Sequence, residues 1–175
     1  MKMSVFILLF CMLIVACGNS LKSILSDIKE GKVQFVMSAI ENSPGLVKEK
    51  TDTGNTVLFE SLRYGHDDLS KRAIQLGADV NITNSQGVTP LYFSTNKEIA
   101  KYLIDNGADK HIKTFEGTPL HWAVKRGDVG LVTLYIQEGL QIDYKSGRGN
   151  TALDLAIKRN NEKVANILKS AMESK

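Results

Sequence analysis

Gly117-Thr118-Pro119-Leu120-His121-Trp122-Ala123-Val124-Lys125-Arg126-Gly127 decides how the rest of the chain is read. The Thr118 hydroxyl is placed to cap a helix, and Pro119 suits the first turn, where no backbone donor is needed. Leu120 and Ala123 fall on one helical face, and Gly127 supplies the left-handed residue that ends the segment. Beyond it, Leu131, Val132, Leu134, Tyr135 and Ile136 form the apolar side of a second helix closed by Gly139. The stretch predicts two short antiparallel helices followed by a protruding turn.

The same phrase recurs as Thr56-Val57-Leu58-Phe59, Thr89-Pro90-Leu91-Tyr92 and Thr151-Ala152-Leu153-Asp154, and the four threonines stand 33, 29 and 33 residues apart. Self-similarity at that period marks units that cannot bury an apolar face alone and must stack on their neighbours. The boundaries fall at 21–50, 51–83, 84–113, 114–145 and 146–171, with a short tail at 172–175. In the third unit Thr89 and Gly107 are 18 residues apart, against 21 for Thr56–Gly77 and Thr118–Gly139. The three missing residues belong to its first helix or the following turn, and a helix shortened by nearly a turn should kink the stack or leave a notch. The last unit has Asn160 where glycine otherwise sits, a residue that tolerates the left-handed region. Upstream, Ile24-Leu25, Ile28, Gly31, Phe35-Val36 and Ala39-Ile40 repeat the helical pair without the threonine, as an N-terminal cap would. Thr51, Asn84, Thr114 and Ser146 each precede a turn glycine by three residues and can fold an oxygen back on the backbone.

Over residues 21–171 this set of positions resembles the ankyrin repeat. The resemblance implies an all-α solenoid of about five helix-turn-helix units with protruding hairpin turns. It also implies first helices lining a concave face, hairpins projecting from the same side, and a role in binding proteins. It assigns structural roles to Thr56, Thr89, Thr118, Thr151 and His121, the histidine bonding neighbouring backbone to tie units together.

Catalytic constellations are missing from the sequence. His66, His111 and His121 have no carboxylate or second imidazole at metal-ligand spacing, and there is no nucleophile elbow or glycine-rich phosphate loop. Asp67-Asp68 opens a second helix, where carboxylates favour the positive dipole end. Neither an enzyme, a metal, a cofactor nor a small-molecule substrate is expected. With 22 Lys and Arg against 19 Asp and Glu, charge does not point to nucleic acid.

Residues 1–16 read as a leader, with Lys2 followed by an apolar run from Val5 to Val15. That run is shorter than the roughly 20 residues needed to span a bilayer core. Ile14-Val15-Ala16-Cys17 resembles the bacterial lipoprotein box, which implies acylation of Cys17 and a short tether over 17–20. The expected location is then the cell envelope, lipid-anchored in the periplasm, with Gly18 matching the outer-membrane sorting pattern. The alternative is an ordinary signal peptide and a soluble periplasmic product, with Cys17 incidental.

The solvent-facing slots before each helix-ending glycine hold Arg63-Tyr64, Lys125-Arg126 and Lys158-Arg159, a basic stripe suited to an acidic protein partner. The competing reading makes these residues ordinary solubilising positions. Phe93, Trp122 and the hairpin-tip Phe115 are candidate anchors, since buried aromatics concentrate binding energy. Against that, Phe93 or Trp122 can pack on the next unit and compensate for the shortened third one. Small ankyrin lipoproteins resemble immunity proteins that neutralise antibacterial effectors, including phospholipases of the type VI secretion system. The alternative is an array that scaffolds or protects an endogenous envelope enzyme.

Overall fold

The computed structural model describes residues 20–174. The expected leader and the lipidation site Cys17 lie outside them. Among the described residues are nine α-helices, two 3-10 turns and no β-strand, so the fold is an all-α helical repeat. None of these helices is long and apolar enough to cross a membrane. The chain divides into two compact units, one ending at Asp79 and one starting at Val80.

The first unit contains α1 (Leu21–Lys29), α2 (Val33–Asn42), a 3-10 turn (Pro44–Lys48), α3 (Val57–Arg63) and α4 (Asp67–Gln75). Helix α1 packs on α2 and α3, and α2 packs on α4. Ile24, Ile28, Val36, Ile40, Leu58, Leu62 and Leu69 close the core without exposure. Truncating any of these large side chains to Ala should cost about 2–5 kcal/mol. The Thr56 hydroxyl caps α3 by accepting from the Phe59 N–H at 3.2 Å. The ring of His66, in the turn after α3, lies with Nε2 3.0 Å from the Ile28 carbonyl at the end of α1. A turn residue of one helical pair thus anchors the preceding pair.

The second unit contains a 3-10 turn (Pro90–Phe93), α5 (Lys97–Asp105), α6 (Pro119–Arg126), α7 (Val129–Gln137), α8 (Ala152–Lys158) and α9 (Glu162–Glu173). Helix α6 packs on α7 and α8, while α7 takes α5 on one side and α9 on the other. Asn160 has φ 53°, the left-handed conformation that ends α8 without glycine. In the last copy the Thr151 hydroxyl accepts from the Asp154 N–H at 3.1 Å, and the Asp154 carboxylate accepts from the Thr151 N–H at 2.8 Å. That is a reciprocal capping box.

Two deletions distinguish the middle of this unit. The three residues missing from the third copy do more than shorten its first helix, because the α-helix is replaced by the four-residue 3-10 turn. In such a turn the N–H three residues on bonds the backbone, and Tyr92 N donates to the Thr89 carbonyl at 3.1 Å. The equivalent N–H in α3 goes to a threonine hydroxyl. Thr89 therefore does not act as the expected side-chain cap, and its hydroxyl is buried without a hydrogen-bond partner. A second deletion lies in the next hairpin. Thr118 follows Gly117 directly, whereas one residue separates the turn glycine from threonine in the other three hairpins. The hairpin closes as a tight Thr114–Gly117 bridge.

Candidate functional site

The most distinctive surface in the second compact unit is the tip of the hairpin carrying Phe115. This ring is 67% exposed, the most exposed large hydrophobic side chain among the described residues. Its surroundings hold it in place. The Gly147 N–H of the next hairpin donates to the Phe115 carbonyl at 2.8 Å. The phenyl ring covers Gly147 so closely that a Cβ there would meet ring carbons at 2.2 Å.

Glu116 locks the tip from the other side. Its carboxylate accepts from Arg148 Nη2 at 2.6 Å and Nε at 2.9 Å, and from Lys125 Nζ at 2.7 Å. Hydrogen bonds from these two cations hold the Glu116 pKa down at about 2. The network joins two hairpin tips to the last turn of α6. The Arg148 guanidinium carbon also lies 6.0 Å from the Phe115 ring centre, the outer edge of cation–π range.

Beneath the tips, two side chains at equivalent positions reach forward to the following hairpin. His121 Nδ1 accepts from the Thr118 N–H at 3.3 Å and lies 2.9 Å from its hydroxyl, which puts the ring proton on Nε2. Nε2 then donates to the Asn150 carbonyl at 3.1 Å. Burial pushes the His121 pKa down, in keeping with a neutral ring. Gly117 leaves room for that ring, since a Cβ there would come within 2.5 Å of it. Tyr92, in the same slot one copy earlier, does this with a longer reach. Its hydroxyl lies 3.0 Å from the Ile112 carbonyl and 2.9 Å from that of Gly117, and burial pushes its pKa up to about 12.

The residues of the basic stripe differ in how far they are committed within the chain. Lys125 is half-buried, committed to Glu116 and stacked 5.0 Å from the Trp122 ring centre, so it is not a free cation. Arg126 remains exposed, but its two terminal nitrogens donate to the Ser94 and Thr95 carbonyls. These two carbonyls directly follow the 3-10 turn. In the first compact unit Arg63 and Tyr64 are exposed, with Arg63 3.7 Å from the buried Glu60, whose pKa burial raises. Lys158 is exposed and bonds the Asn150 side chain, and Arg159 is exposed at the C-cap of α8.

The aromatic candidates sit differently from one another. Trp122 is half-buried, edge-to-face with Tyr92 at 6.2 Å, and its Nε1 is buried without an acceptor. Phe93 is half-buried within the 3-10 turn. The Trp122 ring thus packs on the preceding copy, beside the deletion. Arg148 and Glu116, which organise the tip, were missed by sequence reasoning. The signal was faint, an adjacent Phe-Glu at one hairpin tip and Gly-Arg-Gly at the next. Among the described residues no three His, Cys, Asp or Glu side chains gather as a metal site.

A family model described as ankyrin repeats (3 copies) matches residues 12–114 and 96–174, and the chain belongs to the ankyrin-repeat family. It is 31% identical over 138 residues to the transient receptor potential cation channel subfamily A member 1 homolog of Caenorhabditis elegans, covering 77% of this chain and 11% of that protein. It is 34% identical over 108 residues to ankyrin repeat and SOCS box protein 16 of Mus musculus, covering 59% and 24%. A third match, 28% identical over 163 residues, is to neurogenic locus notch homolog protein 1 of Homo sapiens, covering 90% and 6%. The chain thus corresponds to under a quarter of the length of these relatives. What it shares with them is the repeat module, a fold that is typically a non-enzymatic protein-interaction scaffold.

Proposed function

We propose that this chain is an envelope-tethered binding module that covers and blocks a protein with an acidic surface. In its most specific form it is an immunity protein against a phospholipase-type antibacterial effector. The observation that carries the binding role is the fixed hairpin tip. An aromatic ring left two-thirds in water, with its backbone and both neighbouring cations already held, loses little further freedom when a partner covers it. Occlusion by a rigid surface requires no catalytic group. Support for the envelope location comes from the sequence of residues 1–20, and support for immunity from the likeness to small ankyrin lipoproteins. Arg148, Lys158 and Arg159 supply exposed positive charge in the same compact unit, which favours a partner of opposite sign.

The test is capture from envelope extracts of the source cell with the full chain as bait, followed by deletion of the gene. Recovery of a lipase-like protein, together with sensitivity of the deletion strain to its siblings, is the expected result. Recovery of a housekeeping envelope enzyme with no such sensitivity would replace immunity by protection. No specific partner, or an intact N-terminus without acylation at Cys17 by mass spectrometry, would remove the blocking role or the tether respectively.

A further inference from the structure

Gly147 poses a question that its backbone does not answer. The turn glycines Gly54, Gly87, Gly117 and Gly149 all have positive φ, but Gly147 does not. It is not in the left-handed region, and what demands glycine is the Phe115 ring lying where a Cβ would be. Space has been cleared on one hairpin so that a phenyl ring of the neighbouring hairpin can rest on it, exposed. Hiding the ring would be the ordinary outcome for a large hydrophobe, and here the surrounding bonds work against it. The Gly147 N–H fixes the Phe115 carbonyl, and Glu116 ties Arg148 and Lys125 to the same tip. Arg148 stays 63% exposed in its side chain, and Nη1 is not used by Glu116.

Resting on the binding-module reading above, we infer that Phe115 and Arg148 form a preassembled knob. It enters an apolar socket on the partner whose rim carries a carboxylate for the outward face of the guanidinium. The ring supplies desolvated area, and the arginine supplies direction and selects against a basic rim. Glu116 acts as the positioning residue, since its charge is already spent on two cations of this chain. Gly147 is part of the knob although it touches no partner.

That last point makes the inference testable without knowing the natural partner. The probe is a displayed library of a small β-sandwich scaffold with randomised loops, selected against the full chain and measured by titration. Selected binders are expected to carry Asp or Glu beside apolar loop residues and to lose about 30-fold in affinity on Phe115→Ala. Gly147→Ala should produce a comparable loss by displacing the ring. In the Phe115→Ala background it should add nothing, because the space it fills is then empty. Thermal melting of all three variants should match the parent, showing that the hairpins still fold. Binders insensitive to Phe115→Ala, a Gly147→Ala change that is silent or fully additive, or a library yielding no binder would each overturn the knob. A natural partner captured equally by the parent and by Phe115→Ala would remove the knob and keep the module. Knob-dependent library binders beside an extract that yields no partner would do the reverse.

Discussion

The third and fourth repeats sit side by side in one compact unit and solve the same problem in opposite ways. The fourth has Thr118 and His121 at the start of α6, with every polar atom of that pair engaged, and a full helix running to Gly127. The third has lost three residues, ends its first helix as a 3-10 turn, and leaves the Thr89 hydroxyl buried and unpartnered. Its backbone also takes donors from the next copy. Arg126 at the end of α6 donates to the Ser94 and Thr95 carbonyls, and the Tyr135 hydroxyl of α7 donates to the Leu91 carbonyl at 3.3 Å. A repeat array tolerates a damaged copy when the next copy carries side chains long enough to take over its hydrogen bonds.

The comparison is broken most severely at Tyr135, which is fully buried and whose pKa burial pushes far up. Tyr135→Ala should cost about 3–5 kcal/mol in chemical denaturation by opening a cavity. Tyr135→Phe, which removes only the bond to the third copy, should cost about 1 kcal/mol. Next in size is His121→Ala, which strands the Thr118 N–H and the Asn150 carbonyl and should cost about 2 kcal/mol.

The same residue gives a pH signature. Its folded pKa lies below the ordinary 6.5, so the unfolded chain binds the proton more readily. The His121 contribution is complete above 6.5 and declines as pH falls through that value toward the lowered folded pKa. Melting curves of the parent from pH 7.5 down to 5.5 should fall more steeply than those of His121→Gln.

The sharpest contrast is a change of sign at the threonines. Thr56→Val and Thr151→Val each delete a hydrogen-bonded cap and should cost about 1 kcal/mol. Thr89→Val removes a buried hydroxyl that has no partner while keeping the shape and extended backbone. It should stabilise by about 1 kcal/mol. A destabilised Thr89→Val would show that the third copy is capped after all.

The repeat frame was legible because periodic positions answer to periodic physics. Threonine, leucine and glycine recur in phase, Asn160 could be assigned to the left-handed region from its place in that phase, and the deletion in the third copy was visible as an interval. What the interval could not reveal was the response. The interval does not say whether the missing residues shorten the helix or turn it into a 3-10 turn. Arg126 reads as a solvent-facing cation until those carbonyls, some 30 residues earlier, appear beside it. Trp122 and Lys125 likewise read as surface residues in sequence, while the ring packs on Tyr92 and the ammonium meets Glu116. Hairpin tips obey no period. The Phe115–Gly147 contact joins residues 32 apart in sequence, and nothing local to Gly-Arg-Gly distinguishes a glycine that clears space from one that makes a turn.

Repair of the third copy by the fourth is tested most directly by restoring what was lost. Three residues inserted after Phe93 would recover the spacing of the other copies and allow a full first helix, and the cost of Arg126→Ala can then be measured in both backgrounds by urea denaturation. The expected result is about 1 kcal/mol in the natural chain and nothing resolvable in the lengthened one, where a full helix would carry the Ser94 and Thr95 carbonyls away from Arg126. An equal cost in both would mean that Arg126 was never answering the deletion.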